Sequence, residues 1–262
     1  MKNTYNPNLA KDGIIVDQIF TSGHMLIGGK PQKIHEESTT QNYDIGTRWQ
    51  IDDRVFRYCK AGEALTAMKA GFCGNAPTEV NSAAEAYAIG DTEITILDTN
   101  VRVADYYKNG YIWIMKSGAY QFHKIKSSTA GAGVSVTLTL WEPLSVAIGA
   151  STFVTAWPSI YSNILGSNSG YMSNAAIPLI AVTSGYYFWG QTWGPCFGTV
   201  FNEVPGAASG DRELYFNIDG ALKSSKDVDF GTAGNAIPQR AGFLLTNTTG
   251  GGDQWYMLQL SP

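Results

Sequence analysis

The chain has 262 residues, of which 44% are hydrophobic and only 15% are charged, and its net charge is −4. This composition is the reverse of that of a disordered chain, and it lacks the clustered Lys and Arg with which a protein grips nucleic acid. No stretch approaches the ~20 apolar residues of a membrane-spanning helix. The 12% of aromatic residues and the 29 Gly suit short strands joined by turns. We therefore expect a mostly β fold, either an antiparallel β-sandwich or a barrel-like single domain, with little helix.

The three cysteines, Cys59, Cys73 and Cys196, lie far apart in the sequence and form no CxxC motif. Such a sparse and odd number is typical of free thiols in a reducing cytoplasm and not of a disulfide framework. The first residues also lack the apolar segment of a secretory signal peptide. We therefore expect the protein to be made in a cytoplasm.

Residues 1–43 are polar and show no hydrophobic periodicity, which predicts an extended N-terminal arm. Within the arm, only residues 14–16 and 25–27 are apolar enough to pair with a sheet. Such an arm could dock on a neighbouring subunit or form a plain surface extension, and the sequence leaves both alternatives open. Residues 44–262 have the composition of one β-rich domain.

The middle of the chain contains several predicted strands and one predicted helix. Residues 54–58 and 92–97 predict short strands, whereas residues 82–88 are the only segment that suits a helix, of two turns. Residues 111–115 are a continuous apolar run, which predicts a strand covered on both faces. Residues 134–140 alternate without a fault, with Val and Leu on one side and Ser and Thr on the other. For this segment we expect a strand with one buried face and one solvent-exposed face.

An aromatic block with almost no charge follows. Between Ser127 and Asn202 the only charged residue is Glu142. Residues 186–193 would place aromatic rings on both faces of one strand, so both faces should be covered. The cover is either a second layer of the same chain or another subunit, because interface cores are rich in aromatic residues and poor in Lys and Glu. Seven residues are interface candidates on this reasoning: Tyr186, Tyr187, Phe188, Trp189, Trp193, Trp141 and Trp157.

The C-terminal quarter is charged again and predicts strands at residues 214–218 and 255–260. Asp219, Asp227 and Asp229 lie between them, but these carboxylates lack the loop spacing of a known calcium site. We therefore expect solvated turns there and predict no metal site.

Residues capable of catalysis do not form a recognisable set in the sequence. None of the three histidines, His24, His35 and His123, belongs to a metal-ligand motif, and we expect His123 at the surface. The segment nearest to a hydrolase GxSxG elbow has Asn168 in place of the nucleophile. A coherent pair of nucleophile and base is missing, so we predict that the protein is not an enzyme and binds no cofactor.

Four passages carry a likeness to a known family: residues 46–65, 104–112, 136–144 and 185–195. The fourth is the most distinctive, because its run Trp-x-Gln-x-Trp-Gly-Pro is improbable by chance. Through these passages the chain resembles a family of tailed-phage structural proteins, of the capsid decoration or minor capsid type. The resemblance implies a virion protein that lies on or between major capsid subunits. It implies no catalytic activity and supplies no site residues.

From this resemblance we expect particular partners and a location. The expected partners are the major capsid protein and further copies of this chain, with a trimer favoured, and the expected location is the capsid surface of the virion. Neither nucleic acid nor a membrane is an expected partner. The alternative is a tail- or fibre-associated glycan-binding module, because exposed Trp and Tyr can form platforms for sugar rings. Against this alternative, the local sequences are those of buried strands.

Overall fold

The computed structural model describes residues 31–75, 78–116, 118–166, 172–201, 212–224, 239–246 and 254–262. These residues form eighteen β-strands and no helix. In chain order the strands are β1 Arg48–Ile51, β2 Arg54–Lys60, β3 Gly71–Cys73, β4 Thr78–Ser82, β5 Glu93–Leu97, β6 Val101–Arg102, β7 Tyr111–Lys116, β8 Ala119–Ser128, β9 Gly131–Ala132, β10 Ser135–Leu140, β11 Phe153–Trp157, β12 Ile164–Leu165, β13 Asn174–Pro178, β14 Tyr187–Gly198, β15 Glu213–Phe216, β16 Leu222–Ser224, β17 Arg240–Leu244 and β18 Gln254–Gln259.

The described strands form two large antiparallel sheets and one small pair. The larger sheet has ten strands in the order β12-β3-β13-β14-β18-β17-β15-β16, with β2 paired to β14 and β1 paired to β2. The second sheet has six strands in the order β4-β11-β7-β8-β10-β5, and β6 pairs with β9. The curled sheets form half-barrels. This architecture confirms the predicted mostly β, antiparallel and barrel-like fold.

The centre of the larger sheet is β14, whose first part pairs with β2 and whose second part pairs with β18. The register with β2 shifts between Gln191 and Trp193. The buried Gln191 amide spans this irregularity, because its Nε2 donates to the carbonyl oxygens of Trp193 at 3.0 Å and Pro195 at 2.9 Å. Gly194 has a φ of +94°, and a Cβ there would lie 2.3 Å from the Asp53 carbonyl oxygen. The Trp-x-Gln-x-Trp-Gly-Pro run therefore encodes a bulge that only a glycine at its sixth position, Gly194, accommodates.

Three clusters of buried hydrophobic residues stabilise the sheets. The first includes Tyr58, Phe188 and Trp189, from β2 and β14. The second lies on the inner face of the six-stranded sheet and consists mainly of Ile, Leu and Val. The third packs the end of the larger sheet around Phe216 and Tyr256. Burying each large apolar side chain contributes roughly 1.5–3 kcal/mol, so the order of the strands is fixed by these clusters as well as by the hydrogen-bond ladders.

The strands predicted at residues 54–58, 92–97, 134–140, 214–218 and 255–260 all overlap observed strands, namely β2, β5, β10, β15 and β18. The alternation in β10 is confirmed in detail. Val136, Leu138 and Leu140 are buried, whereas the Ser and Thr residues between them are partly exposed. The period of two therefore predicts both the strand and the side of it that faces the core.

The helix predicted at residues 82–88 is wrong. Ala83 and Tyr87 instead form isolated β-bridges to Ile96 and Ile148. A helix of two turns has few hydrogen bonds to offset the cost of its nucleation. The bridged backbone, by contrast, places Ala83 in the core of the six-stranded sheet. Tertiary contacts thus outweigh the helix propensity of the alanines in this segment.

Of the predicted N-terminal arm, the structure describes residues 31–43, which lie against the larger sheet. Ser38 forms a β-bridge with Tyr187. The Glu37 carboxylate accepts hydrogen bonds from the backbone N–H of Thr183 at 2.6 Å and from its hydroxyl at 3.0 Å. Other sequence predictions fall outside the described residues: those for residues 14–16 and 25–27, His24, Asn168, Asp227 and Asp229.

Candidate functional site

The chain itself covers the two central rings of the predicted segment at residues 186–193. Trp189 is only 2% exposed, and its Nε1 donates a hydrogen bond to the carbonyl oxygen of Gln32 at 2.9 Å. Three rings surround it, each with a centroid separation of 5.0 Å: those of Tyr43, Trp49 and Tyr58. Phe188 is equally buried. These two side chains therefore need no partner chain to shield them from water.

The other five interface candidates are half-buried or exposed: Tyr186, Tyr187, Trp193, Trp141 and Trp157. Trp141, at 46% the most exposed, lies beneath the Lys126 ammonium, whose Nζ is 5.4 Å from the ring centroid. Trp157 ends β11 opposite Tyr111 of β7. Tyr186, Tyr187 and Trp193 belong to the larger sheet or its edge. Trp141 and Trp157 belong to the six-stranded sheet or its edge. The predicted candidates are therefore divided between two sheets.

A patch of exposed aromatic rings lies on the outward face of the six-stranded sheet. We call it the outer aromatic face, and it consists of five residues on the adjacent strands β7, β8 and β11: Tyr111, Trp113, Tyr120, Phe122 and Phe153. Their exposed fractions range from 37% for Trp113 to 70% for Tyr120. Trp113 faces Phe122 across the ladder, and Tyr120 and Phe153 both face Met115. Single exposed apolar residues are normal on soluble proteins, whereas contiguous patches of them are typical of surfaces that contact a partner or a ligand.

Strand alternation explains how this face forms. In β7 the even-numbered Ile112 and Ile114 are fully buried, and the odd-numbered Tyr111 and Trp113 point outwards. The prediction that residues 111–115 are covered on both faces is therefore wrong, because only the inner face is buried within the chain. The sequence did carry a signal for this outcome. Aromatic and aliphatic residues alternate in this run, and such alternation separates two faces of different character even where both are apolar.

Two polar side chains point to the inner side of β8 and fix its orientation. The Gln121 Oε1 accepts hydrogen bonds from the backbone N–H groups of Ser145 at 2.8 Å and Val146 at 3.1 Å, and its Nε2 donates to the Val146 carbonyl oxygen at 2.9 Å. His123 is only 6% exposed, so the prediction that it lies at the surface is wrong. Burial lowers the pKa of His123, and the nearby Glu142 carboxylate opposes that shift. With these side chains inside, Tyr120, Phe122 and the two lysines of β8 face outwards.

A cleft of about 470 Å³ opens beside the outer aromatic face, between β2 and β3 on one side and β7, β8 and β11 on the other. Tyr111 and Phe122 line the cleft as well as the face. Two cations enter it, Arg57 from β2 and Lys124 from β8. Burial lowers the pKa of Lys124, the positive charge of Arg57 lowers it further, and the Asp44 carboxylate raises it. The cleft therefore holds two like charges close enough to repel each other.

The most strongly perturbed carboxylate has a structural role. Asp98 is fully buried, and it accepts hydrogen bonds from the Tyr107 hydroxyl at 2.6 Å, from Arg102 Nε at 2.8 Å and from two N–H groups of Asn100 at 3.0 Å. Burial raises its pKa, but these hydrogen bonds outweigh burial and lower the pKa to about 2. A carboxylate that stays ionised and is engaged by four donors is suited to holding the β5–β6 turn and not to transferring protons near neutral pH.

The remaining titratable groups show no assembled chemistry within the described ranges. No group of three His, Cys, Asp or Glu residues is placed there to hold a metal ion, and Asp219 pairs with Lys69 at 2.9 Å. The three cysteines are free. Burial raises the pKa of the Cys196 thiol to about 12, which suppresses its nucleophilic thiolate form. Among the residues that the structure describes, no helix has the length and apolar character needed to cross a membrane.

Comparison with known proteins gives no match: no protein-family model, no curated protein and no solved structure is significantly similar to the chain. Two features of the described structure bear on function: the outer aromatic face and the cleft beside it.

Proposed function

We propose that the protein is a structural virion protein that decorates or cements the capsid of a tailed phage through intersubunit contacts. The observation that carries this proposal is the outer aromatic face, a contiguous set of exposed rings on adjacent strands. Interface cores are rich in such residues, and contiguous exposed patches of them are typical of association surfaces. The resemblance of the four passages named above supplies the virion context.

The sheet is a suitable support for such a contact. The five rings project from three hydrogen-bonded strands, so their backbones are already ordered and little entropy is lost when a partner binds. Burying a large apolar side chain stabilises a complex by roughly 1.5–3 kcal/mol before other costs. One such contact is modest, but symmetric copies around a capsid multiply it into strong avidity.

The proposed partners are the major capsid protein and further copies of this chain, with a trimer as the favoured state. The proposed location is the capsid surface. We propose no catalytic activity.

A binding experiment on undecorated phage heads tests the proposal. Purified protein should bind the heads saturably and with fixed stoichiometry, and it should raise their thermal stability. Phe122→Ala, which removes a ring of the face that is 61% exposed, should weaken binding by about tenfold or more. Ile218→Ala removes a side chain that is 70% exposed and lies outside the face, and it should bind like the wild type. Absence of head binding, with protein found only on tails, would reject the capsid role.

A glycan-binding module remains the second candidate, and one observation favours it. Tyr111 and Phe122 stack with planes only 9° apart and stay exposed, which forms a flat ring surface suited to the C–H face of a sugar. Clear hits on a glycan array that Tyr111→Ala abolishes, together with no binding to heads, would favour this module over the capsid role.

A further inference from the structure

The cleft beside the outer aromatic face has the size and lining of a small-ligand site. Its volume of about 470 Å³ lies within the range of ~300–1,000 Å³ that is typical of ligand pockets. Aromatic rings from β7, β8 and β11 and from the loop after β11 line it: Tyr111, Phe122, Trp157 and Tyr161. Such walls exclude water and offer flat apolar surfaces, whereas the two cations of the cleft supply charge.

The Lys124 ammonium is the first of these cations, and among the described residues it has no hydrogen-bond or ion-pair partner. The carboxylate whose charge acts on it, Asp44, is engaged by Lys108, whose Nζ lies 2.8 Å from Asp44 Oδ1. Lys124 is also half-buried. A cation that is partly desolvated without a paired anion is unfavourable, and it binds an anion more strongly than an exposed lysine does.

The Arg57 guanidinium is the second cation, and its own hydrogen bonds are long. Its terminal nitrogens lie 3.4 Å from the Gly46 carbonyl oxygen, 3.4 Å from Ser261 Oγ and 3.2 Å from a main-chain oxygen of Pro262. Its Nε is buried and makes no hydrogen bond within the described structure. Donors held this loosely are available to a stronger acceptor, and a guanidinium matches the two oxygens of a carboxylate.

We propose that this cleft binds a carboxylate-bearing sugar ring, such as a hexuronic acid unit, with the carboxylate between Arg57 and Lys124 and the ring against the aromatic walls. The charges select an anion, and the aromatic walls select a ligand that also has apolar faces. Inorganic phosphate satisfies only the first requirement and a neutral sugar only the second. An acidic peptide side chain is a point anion on a flexible stem and would leave the ring-sized volume unused. The proposal does not depend on the capsid role.

Calorimetric titration of the full chain tests this site. The probes are a disaccharide that contains one hexuronic acid, the matched neutral disaccharide, inorganic phosphate and a short oligoglutamate peptide. The uronate should bind at least about tenfold more tightly than each of the other three, and its affinity should fall as salt is raised. Equal affinity for the neutral sugar, for phosphate or for the peptide would overturn the proposal, and so would the absence of uronate binding.

Two matched lysine variants assign the binding to the cleft. Lys124→Gln removes the unpaired cation and should weaken uronate binding by about tenfold or more, without changing the binding of the neutral sugar. Lys126→Gln is the control, because Lys126 is the next outward residue of β8 and lies over Trp141, away from the cleft. It should retain wild-type affinity. Equal losses in the two variants would mean that the uronate responds only to the general charge of the strand, and the site would be rejected.

Discussion

The ring of Tyr111 on β7 stacks on the ring of Phe122 on β8, with centroids 4.9 Å apart and planes 9° apart. The two residues are diagonal neighbours, since Tyr111 faces Lys124 and Phe122 faces Trp113 in the ladder. Cross-strand aromatic pairs of this kind stabilise a sheet, and here the stack also sets the surface that the outer aromatic face presents.

We expect a double-mutant cycle of Tyr111→Ala and Phe122→Ala to give a coupling free energy of roughly 0.5–1 kcal/mol in urea unfolding. The reason is that either single change removes the same stack. The control cycle combines Tyr111→Ala with Phe153→Ala. Tyr111 pairs with Trp157 at one end of β11, and Phe153 lies at the other end of that strand. These two changes should be additive. A coupling of zero in the first cycle would show that the stack contributes nothing in solution.

Trp189→Ala should lower the free energy of unfolding by roughly 3–5 kcal/mol, because it leaves a cavity among three aromatic rings and removes the hydrogen bond to Gln32. The matched control is Trp141→Ala, since Trp141 is 46% exposed and has Lys126 over its ring. That change should cost less than about 1 kcal/mol. Chemical denaturation followed by circular dichroism measures both, and equal effects would contradict the burial seen for Trp189.

The contrast between β10 and β7 shows what the sequence could and could not predict about the fold. In β10 the polar residues that alternate with Val136, Leu138 and Leu140 identify the solvent-exposed face from the sequence alone. In β7 both faces are apolar. Ile112 is buried and Trp113 is exposed because the hydrophobic core lies on the Ile112 side of the sheet. Periodicity therefore locates the strand, and the alternation of aromatic and aliphatic residues separates its two faces, whereas the choice of the face that is exposed follows from sheet packing.

The same limit applies to the surroundings of Trp189 and to the cleft. The cover of Trp189 comes partly from Gln32, which is 157 residues away in the chain. The cleft joins Arg57 to Lys124, residues of two different sheets. The sequence identified the aromatic segment, but the roles of Trp189 and Lys124 depend on long-range contacts. Single-sequence patterns carry no information about such pairs, because these residues are brought together only when the two sheets form and pack.

Acid should destabilise the protein partly through Asp98. Its folded-state pKa of about 2 lies below the ordinary value of 3.8, so its contribution to stability is complete above about pH 4 and is lost as the pH falls towards 2. After allowance for solvent screening, this contribution is roughly 1–2 kcal/mol. Asp98→Asn should therefore lower stability at pH 7 and flatten the loss of stability between pH 4 and pH 2. Urea unfolding at a series of pH values measures both effects.

The control for this titration is Glu93→Gln, which alters an exposed carboxylate at the start of β5. It should leave the acid limb of the stability profile close to that of the wild type. If Asp98→Asn retained the full acid sensitivity, the hydrogen bonds from Tyr107 and Arg102 would not hold the carboxylate ionised in solution.

Binding of a uronate in the cleft should depend on pH through Lys124. Burial and the charge of Arg57 lower the pKa of this ammonium from its ordinary value of 10.5, so its positive charge is lost at a lower pH than that of a free lysine. The affinity for the uronate should therefore fall as the pH rises through the lowered pKa. In Lys124→Arg the cation persists, because the guanidinium pKa exceeds about 12, and binding should survive at alkaline pH. A parallel decline in wild type and Lys124→Arg, measured by calorimetry at increasing pH, would show that another group controls the site.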